Sequence, residues 1–257
     1  MDNGPKIVTF DVETTPQEGY FWGKKWETNI AKITNSSMIL SYSAHWVGGK
    51  HITKGWPDYK GYKKGVLDDS AIVKDIRDNI FNVADIIITQ NGRAYDIKAA
   101  NSRFAFYKLQ PPSPYKVIDT KTEAKRYFNL PSYSLDDMCE YFGIGKKKEH
   151  EGFPLWEKCM AGDKSAWKRM LSYNSNDSDI TYKLYLVIRP FMKTHPNIGM
   201  YKKPDGLYCP NCGSRELNWE GWYRNKTTKY HSFSCKDCGA WGRDTINVQA
   251  LRPAVGI

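Results

Sequence analysis

A mixed α/β sheet flanked by helices, followed by a small cysteine-bearing β unit, is the fold class this sequence predicts. Three observations predict it. Short apolar, β-branched runs alternate with segments of helical period as far as Phe191. The helical period then stops around His195-Pro196-Asn197, and Pro204-Asp205-Gly206 punctuates the chain. Beyond that point Cys209, Cys212, Cys235 and Cys238 form two Cys-x2-Cys pairs. A length of 257 residues accommodates one large domain and one small appendage, and the expected division is 1–198 and 199–257.

Lys6–Val12 reads as a buried strand, and Met38–Trp46 alternates as a second. Gly48-Gly49 marks a turn, and Lys50–Thr53 begins a third strand. Asp69–Val83 places Ile72, Val73, Ile76, Ile80 and Phe81 at helical spacing. Ala84–Thr89 is a short β-branched run that reads as a central strand, and Asp96–Tyr107 as a helix. Lys116–Asp119 is a short strand. Ser134–Phe142 is a helix with Ser134 as N-cap and Asp137 at the capping-box position. Asp163–Leu171 and Ser178–Phe191 read as two further helices.

The composition narrows the function. With 40% hydrophobic and 14% aromatic residues the chain is expected to fold. No apolar run approaches the roughly 18 residues of a membrane span, and no signal peptide is visible, so the expected location is the cytoplasm. Lys and Arg number 38 against 28 Asp and Glu, a net charge of +10. That surplus makes a polyanion, nucleic acid above all, the expected partner.

Asp11 and Glu13 lie two apart on a strand, so both carboxylates face one side while Val8, Phe10 and Val12 face the core. Adjacent carboxylates at the end of a buried strand repel unless a cation neutralises them, and hard divalent ions suit such oxygen ligands. The segment Asp11-Val12-Glu13-Thr14-Thr15 resembles the first motif of the DEDD 3′–5′ exonucleases, which have a ribonuclease H-like fold. Ala84–Thr89 leading to Gln90-Asn91-Gly92-Arg93-Ala94-Tyr95-Asp96 resembles the second, and Tyr173-Asn174-Ser175-Asn176-Asp177 the third, in its Tyr-x3-Asp form. Leu155-Trp156, Gly162-Asp163, Arg189-Pro190 and His195-Pro196-Asn197 are similar to a phage-type branch that also ends in a four-cysteine zinc ribbon.

The resemblance implies a two-metal phosphodiesterase centre holding Mg2+ or Mn2+. Asp11 would bridge both ions, Glu13 and Asp177 would complete one site, and Asp96 would support the other, directly or through water. Tyr173 would orient the attacking water. A phenol with an unperturbed pKa of about 10 is a poor base at neutral pH. Asn91 either contacts the scissile nucleotide or caps its loop. Asp119, Asp179, Cys139 and Cys159 read as structural or solvated, and His150 as solvated.

Two further stretches suit nucleic acid, where aromatic rings stack on bases and cations pair with phosphates. Gly19–Trp26 offers Trp22, Lys24 and Lys25 just after the first motif, as a strand-contacting loop. Between the cysteine pairs, Arg224, Lys226 and Lys229 are interleaved with Trp219, Trp222, Tyr223, Tyr230 and Phe233. In a reducing compartment the four cysteines read as a closed structural Zn2+ site, with Gly213 and Gly239 supplying the turn after each pair.

The expected activity is therefore 3′–5′ hydrolysis of single-stranded or frayed DNA. The alternatives are an exoribonuclease, a structure-selective endonuclease and a catalytically silent nucleic-acid-binding module. Four matched carboxylates weigh against the last.

Overall fold

The computed structural model describes residues 4–23, 30–203 and 205–248. The chain sorts into two compact units. One comprises Lys6–Thr122 and Leu130–Leu184, the other Met1–Pro5, Glu123–Asn129 and Tyr185–Ile257.

The first unit is built on a five-stranded sheet in the order β5-β4-β1-β6-β7. Its strands are β1 (Ile7–Thr14), β4 (Ile39–Trp46), β5 (His51–Gly55), β6 (Ile86–Thr89) and β7 (Lys116–Asp119). The pairs β5·β4 and β4·β1 are antiparallel, whereas β1·β6 and β6·β7 are parallel. The sheet is mixed, as expected. β1 lies at its centre, and Val8, Phe10 and Val12 are buried. Phe10 meets Phe81 edge-on, with ring centroids 5.1 Å apart. Phe81 ends a helical segment that begins as α1 (Ser70–Asp75) and continues as a π turn, Ile76–Phe81. All five apolar residues that gave this segment its period are buried.

The other helices are α2 (Asp96–Phe106), α3 (Thr120–Tyr127), α4 (Leu135–Tyr141), α5 (Phe153–Met160) and α6 (Lys164–Ile188). Ser134 caps α4, its Oγ accepting the Asp137 N–H at 3.1 Å. Between β1 and β4 the chain forms a hairpin of β2 (Glu18–Phe21) and β3 (Ile30–Asn35). Lys24 and Lys25 lie outside the described residues.

The third motif sits differently from expectation. In place of two helices, the structure has one helix of 25 residues, α6, with Tyr173–Asp177 in its middle. Ser, Asn and Asp from Ser172 to Asp179 are weak helix formers and read as a break. Here the side chains of that run find partners across the sheet. Ser178 Oγ lies 2.6 Å from Ser43 Oγ, and Asn174 Oδ1 accepts from Ser41 Oγ at 3.2 Å. A polar helix face packed on polar strand residues carries no apolar period to reveal it.

In the second unit β8 (Leu217–Arg224), β9 (Lys229–Cys235) and β10 (Trp241–Arg243) form an antiparallel sheet in the order β10-β9-β8. A bulge between Trp219 and Trp222, with Gly221 at φ +68°, sets the register there. No helix among the described residues is long and apolar enough to cross a membrane.

Candidate nuclease centre and cysteine site

Asp11 and Glu13 project from one side of β1. Asp177 reaches them from α6, and oxygens of the three carboxylates lie within 4.8 Å of one another. Asp96, at the start of α2, stands beside this group, where its Oδ1 accepts the Val12 N–H at 3.0 Å. That bond ties the second motif to the first strand. The N–H groups of Asn91, Arg93 and Thr122 all donate to the Asp119 carboxylate, at 3.0–3.1 Å. Asp119 is thereby a loop organiser, and Asn91 turns the loop with a left-handed backbone at φ +62°.

Unit charges about 4 Å apart repel by roughly 4 kcal/mol at an effective dielectric near 20. The protonation states follow. Burial first, then the charges of Asp96, Glu13 and Asp177, push the Asp11 carboxyl well above the carboxylate range. Burial and Asp177 push Glu13 up to about 8. Burial raises Asp96 to about 6, against the opposing bond from Val12. Asp177 is raised by burial despite the adjacent Lys147 ammonium.

Two residues not singled out in the sequence complete the centre. Lys147 Nζ lies 2.7 Å from Asp177 Oδ2 and donates to Tyr173 Oη at 3.0 Å. Asn174 Nδ2 donates to Asp11 Oδ2 at 2.5 Å. Lys147 lies in a run of three lysines with no period, so the sequence held no signal for it. Asn174 was inside the third motif, and its helical position one residue after Tyr173 was the available clue. His150 is surface-exposed but its ring meets Tyr173 edge-on, with centroids 4.6 Å apart.

The donor set fits divalent cations. One ammonium does not neutralise four carboxylates, and Asp177 Oδ1 is buried with no hydrogen-bond partner. A cavity of about 1010 Å3 is lined by Thr14 and Tyr95, the chain neighbours of Glu13 and Asp96, and by Thr15. Phe106, Phe153 and Trp156 also line it.

The four ribbon cysteines converge likewise, with sulfur atoms within 4.8 Å of one another. Cys209 Sγ lies 3.6 Å from Cys238 Sγ, and Cys212 Sγ 3.6 Å from Cys235 Sγ. These are not disulfides, whose sulfurs sit about 2.05 Å apart. Four thiolates each about 2.3 Å from a central ion would have this spacing. Gly213 and Gly239 have φ of +75° and +79°, and their N–H groups bond back to Cys209 and Cys235 at 2.8 Å. The two knuckles thus share one turn, and each needs its glycine. Hydrogen bonds from Cys212 and nearby backbone N–H groups lower the Cys209 thiol to about 5. Arg224 and Lys229 are cross-strand partners at the end of β8 and β9, and Lys226 lies in the exposed turn between them. Trp22 follows β2 and is exposed.

A comparison with curated protein sequences gives no match. Among solved structures, the chain is similar to a family B DNA polymerase from the hyperthermophilic archaeon Pyrobaculum calidifontis. The TM-score is 0.53 at 13% identity, covering 73% of this chain and 25% of the polymerase. At that identity the likeness is one of fold, and the chain spans about a quarter of the polymerase's length. The RNase_H superfamily model matches residues 27–188, which takes in the second and third motifs and leaves Asp11 and Glu13 just outside. With a mixed β5-β4-β1-β6-β7 sheet, carboxylates on its central strand and a family match over more than half its length, the chain belongs to the RNase_H superfamily.

Proposed function

We propose that this chain is a metal-dependent 3′–5′ exonuclease of the DEDD type with a Tyr in its third motif, acting on single-stranded or frayed DNA ends. The observation that carries this reading is the convergence of Asp11, Glu13 and Asp177, with an unpartnered buried Asp177 oxygen, beside Asp96 and a ring-lined cavity. Asp11, Glu13, Asp177 and Asp96 would hold two Mg2+ or Mn2+, which when bound neutralise charge on the scissile phosphate and activate water. The protein's own groups do the positioning. Asn174 fixes the Asp11 carboxylate, and the Val12 N–H fixes that of Asp96. Burial and the Asp177 charge push the Tyr173 phenol up to about 12, so it stays protonated and orients water as a hydrogen-bonding group rather than as a base. Lys147 places a fixed positive charge between Tyr173 and Asp177.

End-labelled DNA and RNA strands of one sequence, with Mg2+ or Mn2+, test the reading. Release of label from the DNA 3′ end, with an internally labelled circular single strand left intact, is the expected result. Faster loss of the RNA strand would favour an exoribonuclease, and cutting of the circle an endonuclease. Binding without hydrolysis in either metal would leave only a nucleic-acid-binding module.

The four-cysteine ribbon holds Zn2+ in this reading and grips the strand without chemistry, since four thiolates leave no open coordination position. Trp219, Trp222, Tyr223 and Trp241 are exposed on it, and Lys229 Nζ lies 4.0 Å from the Trp222 ring centroid. Replacing Arg224, Lys226 and Lys229 with alanine is expected to flatten the salt dependence of single-strand binding by about 2, at roughly 0.7 per lost phosphate contact. Hydrolysis of a very short strand at saturation should be unchanged. An unaltered slope on long strands would make the ribbon a structural or protein-docking module.

A further inference from the structure

The β2–β3 hairpin serves no purpose in the core. Every residue from Glu18 to Thr34 that the structure describes is exposed. Tyr20, Phe21 and Trp22 are 68%, 51% and 82% exposed, and Ile30 and Ile33 also face solvent. Three rings in succession on an arm that buries none of them lose apolar contact for no folding gain.

The arm is nevertheless firmly mounted, and its mount is the strand that carries the carboxylates. The β1·β4 ladder pairs Glu13 with Ser41 and Thr14 with Ile39. Beyond it, the Thr15 N–H donates to the Met38 carbonyl at 2.8 Å, and the Met38 N–H returns to Thr15 Oγ1 at 2.9 Å. Ser37 Oγ donates to the Thr15 carbonyl at 2.7 Å. Asn35 Nδ2 then donates to Glu18 Oε2 at 2.6 Å, where β2 and β3 begin to pair. Higher up, a Cβ on Gly19 would come within 2.6 Å of the Lys32 carbonyl, so only glycine permits this approach of the two strands. Both stems, Thr14 to Gln17 and Ser36 to Ile39, line the cavity, the first of them starting one residue after Glu13. Tyr95, Phe106 and Phe153 present exposed rings elsewhere on its lining.

We propose that the β2–β3 arm is a strand-separating wedge. Tyr20 and Trp22 stack against the terminal base pair of a DNA duplex, so that the freed 3′ strand enters the cavity. The inference rests on the nuclease reading and adds double-stranded ends to its substrates. Apolar side chains inserted at base steps unstack duplexes elsewhere, and an exposed ring replaces the lost base stacking on one side. A partner duplex, rather than a partner protein, follows from continuity. The arm is a direct extension of the strand bearing Asp11 and Glu13, on a chain of net charge +10.

Opening one base pair forfeits about one stacking step, worth roughly tenfold in an equilibrium constant. The experiment compares the full-length protein with Tyr20→Ala/Trp22→Ala on three substrates sharing one 3′ sequence: a single strand, a blunt duplex and a duplex with two terminal mismatches. The expected result is a loss on the blunt duplex about tenfold or more greater than whatever loss the same variant shows on the single strand and on the mismatched duplex. Both substituted side chains are in solvent, so folding is not at issue. A second readout is independent of hydrolysis. In an Asp11→Asn background, 2-aminopurine in the terminal pair should brighten on binding, and Tyr20→Ala/Trp22→Ala should abolish the rise. Equal losses on all three substrates would overturn the wedge, as would no loss on the blunt duplex. Degradation of single strands alone by the unaltered protein would overturn it while leaving the nuclease reading intact. Dimerisation that depends on Trp22, with unchanged duplex rates, would assign the arm to a second copy of this chain instead.

Discussion

Asp11→Asn is expected to abolish hydrolysis while making the metal-free protein more stable. Asn keeps the shape, and its oxygen can still accept the Asn174 amide that now bonds Asp11 at 2.5 Å. What it loses is the charge that would hold a divalent ion in the proposed centre. Removing several kcal/mol of charge stabilisation from the transition state corresponds to about 10³-fold or more in rate. The opposite effect on stability follows from the raised carboxyls. Glu13 titrates near 8 in the folded, metal-free state, against an unperturbed value of 4.5, and Asp11 is raised in the same direction. Between those values the folded state binds more protons at these carboxyls than the unfolded one, so their contribution to stability is fullest below about pH 4 and is lost as pH rises toward 8. Asp11→Asn removes one repelling charge and flattens that fall. A gain of about 1–2 kcal/mol at pH 8 would raise Tm by roughly 2–8 °C. Melting curves from pH 5 to 8 in buffer free of divalent ions, with and without added Mg2+, measure it, with single-turnover hydrolysis of a labelled strand alongside. Near-normal turnover in Mg2+ would remove Asp11 from the metal site. An identical pH slope in both proteins would mean the carboxylates do not repel as their spacing implies.

The parts of this molecule that were legible in the sequence are those where one physical constraint leaves a repeating mark. Alternation on β1 separated Asp11 and Glu13 from Val8, Phe10 and Val12, because a strand in mid-sheet must send one set into the core. The glycine after each cysteine pair marked a turn that needs positive φ, and the structure has both. Helix α6 was not legible. Its inner face carries Asn174, Ser178 and Thr181, all buried, and polar residues bonded to a sheet look like a loop until the sheet is present. From the sequence Gly19–Trp26 reads as a strand-contacting loop, whereas the structure begins the β2–β3 hairpin there. Its bulged register breaks the alternation that would have revealed two strands. Lys147 is invisible for a third reason. Its role comes from a loop folding back over α6, a contact with no local pattern.

That ammonium and the phenol it holds carry the other large effect expected here. Tyr173→Phe should slow the chemical step by about 10²-fold, the usual scale for a positioned group that handles a proton or orients water. Lys147→Met should slow it by about 10²- to 10³-fold, as when one preorganised charge facing a developing anion is removed. The two groups act on the same place, since Lys147 Nζ donates to Tyr173 Oη at 3.0 Å and pairs with Asp177 at 2.7 Å. Their losses should therefore not multiply, and a double variant should be only modestly worse than the poorer single one. Stability separates Lys147 from the carboxylates. Burial alone would lower the lysine pKa, but the Asp177 charge and the bonds to Asp177 and Tyr173 outweigh it and raise it above its ordinary value. The ammonium is thus a fixed cation in the metal-free fold. Breaking a fully buried pair costs about 3–5 kcal/mol. With the Lys147 side chain 31% exposed, about 1–2 kcal/mol is the expected loss. Lys147→Met should lower the melting temperature without divalent ions, where Asp11→Asn raises it, and added Mg2+ should shrink the deficit by supplying another cation. Single-turnover rates at saturating metal, set beside melting curves for the four proteins of the cycle, test both claims. Fully multiplicative rate losses would show that the two groups act independently. A metal-free Lys147→Met protein as stable as the original would show that the ammonium does not neutralise Asp177 at all.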